Sequence, residues 1–154
     1  MKKYLQKKLN NEKGMTLIEL LAVIVIIAII AAIAIPAIGN ILENSRNGAV
    51  KADFQQAIAA ANLYVTEEGN LPTGTGAEQL TALAPYLDDP GSLTSVTITR
   101  NASNSLTIAG AADEDGNGTA EYTITTALTN AQLSNIPNER FTGTAIPVAG
   151  NNPS

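Results

Sequence analysis

Residues 14–38 read GMTLIELLAVIVIIAIIAAIAIPAI, and this stretch decides how the rest of the chain is built. Residues 20–35 form an apolar run of 16 residues without interruption. As a helix, residues 15–38 reach about 36 Å, whereas a bilayer hydrocarbon core is about 30 Å thick. The run contains 11 Leu, Ile and Val residues, which together favour insertion by roughly 5 kcal/mol. The sequence therefore predicts a membrane-spanning helix.

One acidic residue, Glu19, lies inside this apolar segment. A carboxylate costs about 2.5–3.5 kcal/mol at the centre of a membrane helix and less near its end, so Glu19 does not prevent insertion. An acid kept within a span usually has a function and a partner. Glu19 is therefore a candidate functional residue.

Charge is divided unevenly along the chain. Residues 1–14, MKKYLQKKLNNEKG, hold five Lys and one Glu, a net charge of +4, whereas residues 15–154 hold four basic and 13 acidic residues, a net charge of −9. Lysines beside a span stay on the cytoplasmic side, so the acidic remainder is expected outside the cell. An acidic exterior without a basic cluster argues against direct binding of nucleic acid.

The N-terminal features form a pattern. A basic leader ends at Gly14, a hydrophobic Met15 follows, Glu19 lies four positions further on, and a long apolar helix contains Pro36. Together they resemble the class III signal peptide of type IV prepilins, although Met15 stands where that family most often has Phe. The resemblance implies cleavage between Gly14 and Met15 by a prepilin peptidase, followed by N-methylation of Met15. It also implies that Glu19 pairs with the N-terminal amine of a neighbouring subunit.

The resemblance further implies where the protein acts. A single-pass precursor would wait in the cytoplasmic membrane, and an assembly platform with its ATPase would draw it into a homo-oligomeric helical filament on the cell surface. The expected function is that of a structural subunit of a type IV pilus, with adhesion or twitching motility as its uses. A pseudopilin of a type II secretion or DNA-uptake (competence) system shares the same signal, so that alternative stays open.

Two simpler interpretations of the N-terminus explain less of its sequence. A cleaved secretory signal would use the sequence AIA at residues 32–34, but its apolar region would exceed the usual length of about 7–15 residues. An uncleaved signal anchor needs only the apolar length and leaves the pairing of Gly14 with Glu19 unexplained. The prepilin interpretation accounts for both features.

The chain contains no Cys and no His. Disulfides, thiol nucleophiles, imidazole bases and Cys or His zinc sites are therefore excluded. Adjacent acids such as Asp88 and Asp89 are typical of solvated turns rather than of a catalytic pair. The sequence predicts a structural protein and not an enzyme.

Because many Gram-negative pilins close their C-terminal region with a disulfide, the absence of Cys fits the pilins of Gram-positive bacteria.

Beyond the apolar run, the helix is predicted to continue as an amphipathic segment. Pro36 is expected to kink or loosen it, because proline lacks the N–H that would bond to the preceding turn. Gly69 followed by Pro72 predicts its end. Apolar residues recur three and four positions apart, as on one face of a helix: Ala49, Val50, Phe54, Ala57, Ile58, Ala61 and Val65.

The rest of the chain is predicted to form a small sheet. Residues 78–87 have the Leu spacing of a short helix, and SVTITR, SLTIA and EYTITT then alternate with a period of two, which predicts a three-stranded antiparallel meander. The fold class is therefore α+β and type IV pilin-like, with the sheet packed against the amphipathic half of the long helix. The predicted segments are a cleaved leader (1–14), a transmembrane and filament-core helix (15–39), an amphipathic helix (40–69), an αβ-loop (70–92), the meander (93–136) and a tail (137–154).

The loop DEDGNGTAE, which begins at Asp113, is a second candidate site. Asp113, Asp115 and Asn117 occupy alternate positions, a glycine takes the sixth place and Glu121 the ninth, which resembles the first part of an EF-hand calcium loop. The twelfth place is Ile124 instead of the bidentate Glu. The flanking strands favour a polar hairpin loop whose glycines serve turn geometry. Calcium held by these four polar residues is the alternative, and no other cofactor is expected.

Overall fold

The structure is a computed structural model that describes residues 2–143 and Ile146, with side chains described from Leu17 onward. Within the predicted tail at residues 137–154, residues 144, 145 and 147–154 lie outside the described part. The predicted α+β fold class is confirmed. The elements in chain order are α1 (Lys2–Glu68), α2 (Ala77–Leu83), β1 (Leu93–Arg100), β2 (Leu106–Ala112), β3 (Tyr122–Thr129) and α3 (Asn130–Asn135), with short 3-10 helices at Ala84–Tyr86 and Asn138–Arg140.

The chain divides into two compact units, Met1–Leu42 and Glu43–Ser154. The first unit consists of the N-terminal part of α1, which remains helical through Pro36. The kink or loosening expected at this proline stays a prediction. Among the described residues, one helix is long and apolar enough to cross a membrane, the part of α1 at Leu17–Glu68.

The second unit has its own hydrophobic core, to which α1 contributes the stripe expected from the sequence. Phe54, Ala57 and Ala61 are completely buried, and Val50 and Ile58 are nearly so. Of the predicted stripe, Ala49 is exposed and Val65 is half-buried. The stripe is therefore narrower than its sequence pattern suggests.

Gly69 ends α1. Its φ of 75° is the left-handed conformation that glycine adopts without steric strain. Its N–H donates to the carbonyl oxygen of Val65 over 3.0 Å, which satisfies one of the free carbonyls of the last turn. The chain then turns into the segment that leads to α2.

The three strands form an antiparallel sheet in the order β1-β2-β3. Val96, Ile98, Ile108 and Ile124 all turn their side chains into the core, as the predicted alternation requires. Gly110 pairs with Val96, and a Cβ added at Gly110 would collide with the carbonyl oxygen of Ser95. The close approach of β1 and β2 therefore requires glycine at this position.

α2 is shorter than the helix predicted over residues 78–87. It ends at Leu83, and a 3-10 helix takes over at Ala84–Tyr86. Pro85 supplies the reason, because its nitrogen has no hydrogen to bond to the carbonyl of Thr81. The N–H of Ala84 bonds to that carbonyl instead.

A buried glutamine, Gln79, fastens α2 to the outer edge of β1. Its Oε1 accepts a hydrogen bond from the N–H of Ile98 over 2.6 Å. Its Nε2 donates to the carbonyl oxygens of Pro72 at 3.0 Å and Gly74 at 2.9 Å. The Gln79 side chain thus satisfies the edge-strand amide of Ile98 and holds the loop before α2 in place. Because that amide is already bonded, this part of the β1 edge cannot pair with another strand.

The predicted meander at residues 93–136 is wrong at its C-terminal end. β3 stops at Thr129, and α3 (Asn130–Asn135) follows. Thr129 and Gln132 form a capping box in which each side chain bonds to the other's backbone N–H, and this arrangement favours the start of a helix. The spacing Thr-x-x-Gln was present in the sequence and would have predicted α3.

The described part of the tail packs along β3. Phe141 is completely buried, and Ile146 is almost so. The N–H of Thr123 donates to the carbonyl oxygen of Gly143 over 3.2 Å. The ring of Phe141 lies 6.2 Å from that of Phe54 in an edge-to-face arrangement, which joins the tail to α1.

Replacing Gln79 by Ala is expected to lower the free energy of unfolding of residues 43–154 by about 2 kcal/mol, because it leaves a strand amide and two carbonyls without their partner. Urea unfolding measures the difference. Gln56→Ala, at an exposed position of α1, is the control and should stay within about 0.5 kcal/mol. Equal midpoints for the two variants would contradict the role of Gln79 at the strand edge.

Candidate functional site

The first candidate site is the apolar part of α1, residues 17–42, which we term the apolar segment. It contains 16 large apolar side chains whose exposed fractions range from 48% at Val25 to 70% at Ile33. A soluble monomer does not expose a continuous apolar surface of this extent. The apolar segment therefore needs lipid or other apolar helices around it.

Glu19 lies within the apolar segment between Ile18 and Leu20, whose side chains are 67% and 60% exposed. The carboxylate is itself exposed on the helix surface. It is the sole acid among the residues of the apolar segment. Any apolar surroundings that cover its neighbours also surround Glu19, and they make an unpaired charge there costly.

The predicted processing residues belong to the same helix. The backbones of Gly14 and Met15 lie within α1, and their side chains are outside the described set. Met15 precedes Glu19 by four residues, a spacing that places both on one face of a helix. Pro36 lies further along, in the interior of α1. The structure thus carries all four residues on one helix, while their roles stay predictions.

The second candidate site is the loop between β2 and β3. The carboxylates of Asp113, Asp115 and Glu121 each offer an oxygen, and these oxygens all lie within 4.8 Å of one another. The structure therefore brings together the three acids that the sequence spacing singled out. Asn117 joins them through its Nδ2, which donates to Asp115 Oδ2 over 2.8 Å. Ile124, at the twelfth place of the motif, is buried in the core instead.

Each of the three carboxylates accepts hydrogen bonds from the loop itself. Asp113 accepts the N–H groups of Gly116 and Gly118, both over 2.7 Å. Asp115 accepts hydrogen bonds from the backbone N–H and the side-chain Nδ2 of Asn117. Glu121 accepts a hydrogen bond from the N–H of Glu114 over 2.9 Å. These donors offset the repulsion between neighbouring negative charges.

The balance of these effects is visible at Asp113. Desolvation alone would raise the pKa of its carboxyl, but the amides of Gly118 and Gly116 donate to the charged form. The net result lowers the pKa of Asp113 below its ordinary value. The carboxylate is therefore ionised at neutral pH and available to hold both amides.

Two contacts attach this loop to α1 within the second unit. Arg46 Nε lies 3.5 Å from Glu114 Oε1, a solvent-exposed ion pair worth on the order of 1 kcal/mol or less. At the end of the loop, Tyr122 Oη donates to Asn47 Oδ1 over 2.8 Å, and this bond is buried. Desolvation, together with the nearby Glu114, raises the pKa of Tyr122, so its hydroxyl stays protonated and donates.

The sequence pattern indicates the acids of the loop but not the hydrogen bonds that hold them in place. Asp113 bonds to the amides three and five residues later, and Asp115 to the amide two residues later. Short-range bonds of this kind are a known habit of Asp and Asn in turns, so the Asp-x-x-Gly spacing was a usable signal. The contacts with Arg46 and Asn47 span long sequence distances and left no local signal.

Comparison with known proteins gives one finding. A family model described as the prokaryotic N-terminal methylation motif matches residues 9–35. The match covers the predicted cleavage position, Glu19 and the apolar run that ends just before Pro36. No curated protein and no solved structure matches the chain.

Calcium binding by Asp113, Asp115, Asn117 and Glu121 stays the alternative to a plain hairpin loop, and thermal unfolding tests it. We expect the Tm of residues 43–154 to be the same with calcium chloride and with a chelator, because the loop already supplies hydrogen-bond donors to all three carboxylates. A calcium-dependent rise in Tm would reveal a site, since a ligand that binds only the folded state stabilises it. If calcium raises the Tm, the rise should be lost in the Asp115→Asn variant and absent with magnesium. A rise in Tm with this pattern would contradict the interpretation as a plain hairpin loop.

Proposed function

We propose that the chain is a structural subunit of a type IV pilus, because the N-terminal methylation motif matched at residues 9–35 supports the resemblance to the class III signal peptide of type IV prepilins. The motif supports a type IV pilin-like or pseudopilin-like protein and implies processing by a prepilin peptidase and pilus assembly. A membrane-anchored precursor fits both the motif and the apolar helix. The proposal adds the mature state, a filament outside the cell.

The observation that carries the proposal is the combination of this motif with the exposed apolar segment. Before assembly, lipid covers the 16 exposed side chains of that segment. After assembly, the same segments of neighbouring subunits cover one another. The change of surroundings is from one apolar medium to another, so the hydrophobic effect does not oppose extraction into the filament.

Small residues shape the packing in such a filament. Without water to drive association, helices inside an apolar medium associate through close contact, which small side chains permit. The apolar segment carries alanines at positions 22, 28, 31, 32, 34 and 37 among its branched residues. These alanines support close approach of neighbouring helices.

Glu19 supplies the specific contact in this proposal. An unpaired carboxylate in a packed apolar bundle carries a desolvation cost of several kcal/mol. Cleavage after Gly14 creates a new positive charge, the amine of Met15. When an incoming subunit places this amine next to Glu19 of its neighbour, both charges are matched. The pairing fixes the axial register of each added subunit.

The second unit faces outward in this arrangement. It holds four basic and 12 acidic residues, a net charge of −8. Like-charged units repel one another at close range, an effect that salt screens. The proposal therefore assigns the attractive contacts mainly to α1. The acidic units form the exterior of the filament, where adhesion or motility would be exerted.

A pseudopilin of a type II secretion or DNA-uptake system is the second candidate, because it shares the N-terminal motif. The structural argument for α1 and Glu19 is the same for both. Filament length separates them, since a surface pilus extends far from the cell and a pseudopilus remains short. Electron microscopy of intact cells that express the protein gives this length directly.

Replacing Glu19 by Val tests the assembly role. The variant should be cleaved and retained in the membrane, but the yield of sheared filaments should fall on the order of a hundredfold, because the amine of Met15 loses its partner. Glu43→Val is the matched control: it removes an exposed acid of the same helix outside the apolar segment. Filaments of normal yield and length from Glu19→Val would contradict the proposal.

A further inference from the structure

The loop between β2 and β3 contains two peptide bonds of a chemically labile type. In the sequence Asp115-Gly116-Asn117-Gly118, an acid or amide side chain precedes glycine twice. The carbonyl carbon of such a side chain lies within reach of the next backbone nitrogen, and attack closes a five-membered succinimide ring. Glycine has no side chain to hinder the approach, and all four residues are exposed to water.

One carboxylate holds both nitrogens that would attack. Asp113 Oδ1 accepts the N–H of Gly116, and Asp113 Oδ2 accepts the N–H of Gly118, each over 2.7 Å. A backbone nitrogen must lose its proton to act as a nucleophile. A hydrogen bond to a full negative charge stabilises the protonated amide and directs it away from the neighbouring side chain.

The side chain of Asn117 is not protected in the same way. Its Oδ1 accepts the N–H of Thr119 over 2.8 Å, and a donor at this oxygen polarises the carbonyl towards attack, as in an oxyanion hole. Its Nδ2, the leaving nitrogen, donates to Asp115. The reaction is therefore restrained only at the attacking nitrogen of Gly118, which Asp113 holds by a hydrogen bond.

We propose that the Asn117-Gly118 bond is a modification site at which Asp113 restrains deamidation. In the reaction, the nitrogen of Gly118 forms a bond to Cγ of Asn117, the bond from Cγ to Nδ2 breaks, and ammonia leaves with the proton of the amide. Water then opens the succinimide at either carbonyl. The products are aspartate, or isoaspartate with one additional methylene in the backbone.

Either product changes the loop. Aspartate at position 117 adds a fourth carboxylate to three that already lie within 4.8 Å of one another. Isoaspartate lengthens the connection between β2 and β3 and disturbs the hydrogen bonds that close it. The chemistry depends only on this loop and not on the proposed pilus function, so failure of either proposal leaves the other intact.

The chain contains an internal reference for the same chemistry. Asn47-Gly48 is the same dipeptide, but it lies inside α1, and the Asn47 side chain is 1% exposed. Its glycine N–H belongs to the helical hydrogen-bond ladder. Asn47 should therefore deamidate only when the second unit unfolds, and its conversion reports unfolding in any variant.

The experiment follows deamidation by peptide mass spectrometry on the full chain in detergent micelles, in warm and mildly alkaline buffer. Asp113→Asn and Asp113→Ala remove the charge that holds the two glycine amides. Glu121→Gln is the matched control for loss of a loop carboxylate: Glu121 accepts the N–H of Glu114 and, over 3.4 Å, Asn117 Nδ2, but it accepts no glycine amide. Asn117→Gln identifies the signal, since a longer side chain closes the ring far more slowly.

Both Asp113 variants should convert Asn117 about tenfold faster than the wild type, the factor expected for one charge-assisted hydrogen bond. Glu121→Gln should stay near the wild-type rate, and Asn47 should remain unconverted. Wild-type rates in both Asp113 variants, or equal acceleration in Glu121→Gln, would overturn the proposal. If Asn47 also converts, the variant has unfolded, and the test is then made on the wild-type protein. Its Asn117 should deamidate about tenfold more slowly in buffer, where the loop is folded, than in urea. Equal rates in buffer and urea would refute the proposal that the folded loop restrains the reaction.

Discussion

The exposure of the apolar segment to its surroundings is the constraint on which the rest of this protein depends. Sixteen large apolar side chains between Leu17 and Leu42 are each about half exposed or more. Burial of apolar surface is favourable by roughly 25 cal/mol per Å², so leaving such a surface in water is costly. Lipid and packed apolar helices are two environments that remove this cost. The proposed filament subunit, which starts in a membrane, would meet both in turn.

The second unit follows the ordinary rules of a small soluble domain. α1 supplies one wall of its core and the three strands supply the other, with Phe54 and Phe141 in edge-to-face contact. The chain has no Cys, and polar side chains tie neighbouring segments together. Gln79 joins α2 to β1, and Asp53 on α1 accepts both the N–H and the hydroxyl of Ser92 at 2.9 Å and 2.7 Å. Such hydrogen bonds between distant segments favour one arrangement of the fold.

The parts of the fold that repeat a local pattern were predictable from the sequence. The stripe on α1 and the alternation of Val96 and Ile98 follow from periods of three to four and of two residues. The close approach at Gly110 and the bonds of Gln79 depend on segments distant in sequence, which no local pattern reveals. α3 lies between these cases, because the Thr-x-x-Gln spacing of its capping box is a local signal that the strand pattern alone does not take into account. For the loop, spacing predicted the meeting of its acids, while the role of Asp113 required the positions of the glycine amides.

We propose that removal of residues 1–14 turns a membrane precursor into a filament subunit. Electron microscopy of material sheared from cells, combined with the peptide mass of its N-terminus, tests this most directly. We expect fibres whose subunits begin at Met15 with a methylated amine. Monomeric protein that retains residues 1–14, with no fibres in the sheared fraction, would contradict it.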